Sequence, residues 1–271
     1  MEISEKYAAC VSGLRVFADS AGFTDVVIGL SGGIDSSVVA CMCVDVFGAE
    51  HVHGYLLPGP FSSEHSVADA QTLANALGMR AERISINEPF AAFAKVVSPH
   101  CEGRIFDGLA AENTQARCRM VILMALSNEY GWMLVNTGNK SEACMGYSTL
   151  YGDMAGAYAP IGGLYKTDVF AVARYINEMA EARGKVAPIP QNVLVKPPSA
   201  ELAPGQTDEA TLGSYAALDA VLVDHVERGM DVDALAAAGH DRAEAVRIVE
   251  RLKGCAFKMA LEPPCPRIDY V

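Results

Sequence analysis

Asp25 to Phe47 reads DVVIGLSGGIDSSVVACMCVDVF. Val26, Val27, Ile28 and Leu30 make an apolar run of the length of a buried strand. It ends in Ser31-Gly32-Gly33, and an apolar helical pattern begins near Ile34. Two glycines let the backbone turn sharply and approach a ligand closely. The free N–H groups and the positive dipole end of a helix start favour a bound anion. Ser31, Ser36 and Ser37 add hydroxyl donors. Asp35 does not fit a bare anion site, because a carboxylate repels phosphate. It fits if it holds Mg²⁺, which takes carboxylate and phosphate oxygens together.

The Gly-Lys-Ser/Thr ending of a Walker A loop is missing. SGGIDSS resembles instead the pyrophosphate (PP) loop of the ATP-pyrophosphatase superfamily, whose enzymes split ATP between the α and β phosphates. A lone Ser-Gly-Gly would be an ordinary strand–turn–helix connection with a serine cap. The full string behind an apolar strand favours the nucleotide loop.

Strands and helices alternate on either side of this stretch. Ile3, Tyr7, Val11, Leu14 and Phe17 recur at helical spacing over residues 3–20. A second strand is expected at 51–57, a helix from Ser63 to Leu77 stopped by Gly78, a third strand at 80–86 and a short helix at 89–97. A polar loop at 98–108 precedes a long helix at 109–130, and Trp132 to Asn136 forms another strand. Alternation with short connections predicts an α/β fold: a doubly wound parallel sheet with helices on both faces. Ligands gather at the carboxyl ends of such strands, where SGGIDSS lies. Residues 143–167 are rich in glycine and tyrosine with little periodicity, and 184–206 hold five prolines. One helix follows at 167–179. Further helices are expected at 208–228, 231–239 and 241–260, a helical C-terminal region packed on the core.

The 271 residues suit a single domain over 1–271, and 51% of them are hydrophobic, enough for a large core. A net charge of −12 argues against broad electrostatic binding of nucleic acid. The eight cysteines are scattered without a Cys-x-x-Cys pair, as expected of small apolar residues in a reducing cytosol. The N-terminus lacks the layout of a signal peptide, and no run of about 18 apolar residues exists for a membrane span. A cytoplasmic protein is expected.

Several further strings hold chemistry-bearing residues. Arg117 and Arg119 of ENTQARCRM point to different faces of one helix, and for Arg119 a solvated face is an equal alternative. Asn136 to Glu142, NTGNKSE, follows a strand and so faces the same edge as SGGIDSS. Glu142 could supply a second carboxylate for Mg²⁺ and Thr137 a donor to phosphate or ribose, whereas a capping turn also explains Ser-Glu. Lys166 near a helix start is unfavourable to the dipole unless an anion is nearby. Thr207 reads as a helix N-cap. His51 and His53 share a strand face, but no cysteine or acid stands nearby at metal spacing, which assigns them to packing or exposure.

GLSGGIDSS, ENTQARCRM, NTGNKSE, GYSTLYGDMAGAYAPIGGLYKT and PSAELAPGQTDEATLG occur in this order. Together they resemble the synthetase domain of NAD synthetase over roughly residues 5–265. The resemblance implies an adenine nucleotide alpha hydrolase-like fold and a ligase that turns deamido-NAD (nicotinic acid adenine dinucleotide) into NAD. ATP is the co-substrate, Mg²⁺ the metal, and AMP and pyrophosphate the by-products of an adenylated intermediate. It implies that Gly29, Leu30, Ser31, Gly32, Gly33, Ile34, Asp35 and Ser36 bind ATP, with Thr137, Lys166 and Ser199. Asp35 and Glu142 would hold the metal; Arg117, Asp153 and Lys258 would contact deamido-NAD. No covalent nucleophile is implied.

Leu150 and Ala157 depart from the lysine and the acid that many single-domain members carry there, so dinucleotide contacts must be made differently. Glutamine-using relatives add a nitrilase-like glutaminase domain, for which these residues leave no room, so free ammonia is the implied donor; a separate amidotransferase subunit is the alternative. The resemblance also implies a homodimer whose dinucleotide site lies at the subunit interface, for which the 109–130 helix is the candidate. Competing readings are a tRNA-modifying adenylase, disfavoured by the charge; a GMP synthetase-like amidotransferase, which lacks NTGNKSE and LYGD; and a non-catalytic AMP sensor, which would lose one of Asp35 and Glu142.

Overall fold

The computed structural model describes residues Met1 to Val271. Four parallel strands form the sheet, β1 (Val26–Gly29), β2 (Val52–Leu56), β3 (Arg80–Arg83) and β4 (Met133–Leu134), in the order β3-β2-β1-β4. Val26 lies between Val52 of β2 and Met133 of β4. The chain steps one way from β1 through β2 to β3 and then returns to the other side of β1 for β4, so the crevice between β1 and β4 is the switch point of the sheet.

The two-residue period divides the strands between two cores. Val26, Ile28, Val52, Leu56, Met133 and Val135 face a cluster shared with α1 (Ile3–Ala21), α2 (Ile34–Phe47), α3 (Glu64–Leu77) and α7 (Lys166–Ala182). Val27, Tyr55 and Leu134 face the other side, against α4 (Asn87–Val97) and α5 (Gly108–Tyr130). Each fully buried aliphatic side chain contributes roughly 1.5–3 kcal/mol, so the alternation commits the sheet to this register. The expected doubly wound sheet is what the chain forms.

A third core holds the C-terminal region. Leu218, Val221, Leu222, Leu235, Ile248 and Val249 pack on Cys144, Met145 and Tyr165. They come from α10 (Tyr215–Leu222), α11 (Val232–Ala237) and α12 (Arg242–Met259), which cover α6 (Lys140–Met145). The single helix expected over 208–228 is broken. Gly213, at φ +79°, ends α9 (Asp208–Leu212), α10 begins at Tyr215, and residues 223–227 close as a π turn. Inside the proline-rich stretch α8 (Gln191–Val195) forms one short helix. The strand expected at 80–86 stops at Arg83.

The glycine- and tyrosine-rich stretch returns to the sheet. Ala157 N–H donates to Leu134 O at 2.8 Å and Asn136 N–H to Tyr158 O at 2.9 Å, extending β4 along its outer edge. At the opposite ends of the strands, His51 Nδ1 and His53 Nε2 both lie 3.1 Å from Asp25 Oδ1, and the His53 ring stacks on Trp132. The histidine pair therefore has an acid beside it, brought by β1 rather than by sequence spacing. It forms no metal cluster. No helix is long and apolar enough to cross a membrane.

Candidate active site

The first wall of the site is the turn from β1 into α2. Gly32 has φ +74°, and a Cβ there would fall 2.0 Å from the Ser66 carbonyl oxygen of α3. Glycine is needed for the turn and for the approach of α3. Ser31 Oγ lies 3.0 Å from Ser36 Oγ and accepts the Gly33 N–H at 3.1 Å, while Ser37 Oγ donates to Gly33 O at 2.8 Å. These bonds hold the loop around the first turn of α2, whose leading N–H groups have no intrahelical acceptor. Asp35 sits in that turn.

The second wall is the turn from β4 into α6. Asn139 caps α6, its Oδ1 accepting the Glu142 N–H at 3.0 Å, and its Nδ2 donates to Asp35 Oδ1 at 2.8 Å. One asparagine thus joins the two helix starts across the switch point. Glu142, in the first turn of α6, faces the same space.

Lys166 closes the constellation. It is the first residue of α7, is 1% exposed, and its Nζ donates to Asp35 Oδ2 at 2.6 Å and Glu142 Oε1 at 2.8 Å. Burial alone would depress its ammonium, but the two carboxylates raise it above its ordinary value. Burial pushes the Glu142 carboxyl up, against the pull of Lys166. The anions that make a lysine tolerable at a helix N-terminus are therefore two side chains of the protein itself. Asp219, buried on α10, fixes the arrangement from behind: it accepts Ser141 Oγ at 2.5 Å and the Thr167 N–H at 2.8 Å, while Ser141 Oγ accepts the Lys166 N–H at 2.8 Å.

These groups open on a cleft of about 320 Å³, within the range of small-molecule sites. Gly29, Leu30, Ser31, Gly33, Ile34, Asp35, Ser36, Thr137, Glu142, Asp153, Lys166 and Ser199 line it, as do Asn139, Arg119, Lys196, Glu201, Asp208 and Glu262. Gly32 lies in the loop but not on the cleft surface. Asp153 is held by the Thr149 N–H at 2.5 Å, and burial raises its carboxyl. Ser199 Oγ donates to Gln206 O at 2.6 Å.

Two residues assigned from the sequence to the dinucleotide lie elsewhere. Arg117 is exposed on α5, its Nε 3.1 Å from Leu150 O, and it does not line the cleft. Lys258 on α12 donates to Gly146 O at 2.9 Å and Ser148 O at 2.6 Å. With Arg251 Nε on Met145 O at 2.9 Å, it holds the loop after α6 rather than facing the cleft. The arginine that does line the cleft is Arg119, whose Nε donates to Leu57 O at 2.9 Å. Asp208 and Glu201 also line the cleft, although the sequence offered them only within PSAELAPGQTDEATLG, with no role of their own. Glu201 bonds Ser63 and Ser66 at the start of α3. Thr207, read as an N-cap, precedes α9 but makes no side-chain cap.

Asp35, Glu142 and Asp208 stand near one another with Lys166 as their cation. Such a site repels a polyphosphate unless more positive charge enters. No three or more His, Cys, Asp or Glu side chains are grouped to hold a metal alone. Two converging carboxylate oxygens do suit Mg²⁺, which binds through one or two carboxylates and completes its shell with phosphate and water. The residues present fit that ion.

The NAD synthase family model matches residues 6–262. The glutamine-dependent NAD(+) synthetase of Thermotoga maritima is 44% identical over 254 residues, covering 94% of this chain and 43% of that protein. The chain spans about half the length of the curated relatives it matches. Among solved structures, NMN synthetase from Francisella tularensis superposes with a TM-score of 0.78 at 30% identity, over 96% of both chains. NH3-dependent NAD synthetase from Campylobacter jejuni gives 0.75 at 27%, over 95% of this chain and 96% of that one.

Proposed function

Because the chain belongs to the NAD synthase family, we propose that it makes NAD from deamido-NAD, ATP and ammonia in two displacements. In the first, a carboxylate oxygen of the nicotinate attacks the α-phosphorus of ATP. The bond from that phosphorus to the bridging oxygen breaks, and pyrophosphate leaves with the electron pair. In the second, ammonia attacks the activated carbonyl carbon, the carbon–oxygen bond to AMP breaks, and a proton is released. A carboxylate does not react with ammonia until one oxygen becomes a good leaving group, so the protein's work is orientation and charge neutralisation.

Residues Gly29 to Ser36 hold the ATP phosphates at the α2 N-terminus, with Lys166, Thr137 and Ser199 as further ATP contacts. Asp153 binds deamido-NAD, and Arg119 is added here as the cleft's guanidinium for an anionic group of substrate. Mg²⁺ held by Asp35, Glu142 and phosphate oxygens would supply the positive charge that a polyphosphate needs there. One observation carries this reading: two acidic helix starts and one buried lysine converge beside a glycine-rich helix N-terminus at the switch point of a parallel sheet.

The test is product analysis with purified chain, ATP, Mg²⁺ and deamido-NAD, with ammonium chloride or glutamine as donor. NAD and AMP from ammonium alone are the expected result. Product from glutamine would identify a glutaminase activity or a co-purifying partner. A parallel arm with the corresponding mononucleotide acid separates a dinucleotide substrate from the chemistry named for the Francisella relative; faster turnover there would overturn deamido-NAD as the substrate.

A homodimer through α5 is part of the proposal. Leu109, Val121 and Met124 are exposed together with Arg117 on one side of that helix, and Arg117 would then reach a dinucleotide across the interface. Val121→Asp is expected to shift the sedimentation mass from dimer to monomer. An unchanged mass would move the interface elsewhere.

A further inference from the structure

Away from the cleft lies a second group of buried charges that the proposed reaction does not use. Lys6 of α1 is 7% exposed, and its Nζ donates to Asp168 Oδ2 at 2.8 Å. Asp168 stands in the first turn of α7, just beyond Lys166. The Tyr270 hydroxyl donates to the same Oδ2 at 2.6 Å and lies 3.3 Å from Gly163 O. It also accepts the N–H of Tyr165, the N-cap residue of α7, at 3.3 Å. Burial, and then the Asp168 carboxylate, push this phenol up from its ordinary value, so it keeps its proton and remains the donor. None of Lys6, Asp168 and Tyr270 lines the cleft.

Side chains from distant parts of the chain take the leading N–H groups of α7. The Tyr270 hydroxyl accepts from Tyr165, Ser141 Oγ from Lys166 at 2.8 Å, and Asp219 Oδ2 from Thr167 at 2.8 Å. A helix has no partners of its own for these donors, so the side chains that take them decide where its first turn sits. Lys166 is the middle residue of the three. The ring of Tyr270 bears on the neighbouring helix start as well. It meets the Tyr165 ring edge-on at a centroid distance of 5.0 Å, and the ammonium groups of Lys6 and Lys140 lie over it at 4.2 and 5.6 Å. Lys140 opens α6, the helix that carries Glu142, and its N–H donates to Leu164 O at 2.8 Å. Tyr270 therefore bears on both helix starts that present Lys166 and Glu142, without itself facing the cleft.

Packing seats this tyrosine. Residues 263–271 have no regular structure. Pro264 O accepts the Ala159 N–H at 2.9 Å, and Ile268, 6% exposed, joins the main core. A Cβ on Gly163 would fall 2.3 Å from Pro266 O, so the segment lies directly against the loop that leads into α7. We propose that Tyr270 is a positioning residue for the reaction: its hydroxyl fixes the α7 start so that Lys166 Nζ stays between Asp35 Oδ2 and Glu142 Oε1. This rests on the role proposed above for Lys166 at the ATP phosphates. Tyr165, whose N–H the hydroxyl holds, immediately precedes Lys166, so any shift of the cap is passed to the lysine. Misplacing a reacting or stabilising group by about 1 Å costs on the order of 10²-fold in rate. One hydroxyl remote from the cleft can therefore govern turnover while leaving ATP binding nearly unchanged.

The experiment is a double-mutant cycle on the full chain: wild type, Tyr270→Phe, Lys166→Met and the two together. NAD formation is measured with ATP varied at saturating Mg²⁺, deamido-NAD and ammonium chloride, and the urea unfolding midpoint of each protein is recorded. The expected result is a kcat lowered about five- to tenfold in Tyr270→Phe with KM for ATP within about twofold, the split of an interaction that matters in the transition state. Added to Lys166→Met, the same change should lower kcat no further than about twofold, because the residue it acts through is gone. An unchanged kcat in Tyr270→Phe overturns the positioning role. So does an equal fall in both backgrounds, the result for a residue that only supports the fold. Should Tyr270→Phe fail to fold, Asp168→Asn decides through the same cycle. If wild type makes no NAD, the reaction proposed above fails, and non-additive midpoints alone decide whether Tyr270 and Lys166 are coupled. If wild type is active and the kcat changes are additive, the positioning role alone fails.

Discussion

Replacing Lys166 with methionine is expected to lower unfolding free energy by about 3–5 kcal/mol at neutral pH, the cost of removing one partner from a buried ion pair. The ammonium is bonded to both Asp35 and Glu142 and is almost wholly enclosed. Without it the two carboxylates face each other with no counter-charge. The same change should reduce kcat/KM about 10²- to 10³-fold, the range for losing one preorganised group that stabilises developing charge. Denaturant unfolding reads the first effect and the amidation assay the second. A second substitution separates this cause from general disruption. Adding Glu142→Gln to Lys166→Met removes one of the stranded carboxylates and should recover part of the lost stability, a non-additive result that only interacting residues give. Strict additivity would show that the trio is not coupled.

Gly32→Ala should be the most damaging single methyl group that can be added to the chain. The new Cβ would sit 2.0 Å from the Ser66 carbonyl oxygen and 2.7 Å from its carbon, both backbone atoms at the start of α3 that cannot swing aside. The residue must also hold φ +74°, which costs an L side chain roughly 1–2 kcal/mol. Overpacking adds about 1–3 kcal/mol. The loop can relieve the clash only by withdrawing from α3, which moves the N–H groups of the α2 start. A stability loss of about 2–5 kcal/mol and a raised KM for ATP are therefore expected. Gly33→Ala is the internal control. Gly33 has φ −87°, and its Cβ would meet only the Ser31 hydroxyl oxygen at 3.2 Å. Its effect should be smaller in both measurements. Equal effects at the two positions would mean that loop flexibility, rather than the approach of α3, explains the glycine pair.

The exposed position of Arg117 and the carbonyl bonds of Lys258 change how dinucleotide contacts are expected to arise. Arg119 and Asp153 are oppositely charged groups on the cleft wall, close enough for the Asp153 carboxylate to favour the Arg119 cation. Leu150 contributes its carbonyl to Arg117, and Ala157 its N–H to Leu134, so both positions that depart from the family pattern serve the backbone here.

The amino-acid sequence by itself determined the sheet, the glycine turn and the two carboxylates, Asp35 and Glu142, that meet at the edge of the sheet. Those features rest on short-range physics: a continuous apolar run in Val26 to Leu30, glycine at a turn, and an acid in the first turn of each helix that follows a strand. Asp35 and Glu142 were legible because β1 and β4 deliver their following helices to the same edge of any parallel sheet. Tertiary structure decided the rest. Which arginine of α5 faces the cleft depends on the rotation of that helix against β1, and 117 and 119 differ by only two positions. Asp208 joined the site only when α9 was set beside the loop after α6, on the wall of the same cleft. Lys166 meets Asp35 across 131 positions of chain. No local pattern encodes such a pairing, because it is selected by the cost of leaving a buried charge alone.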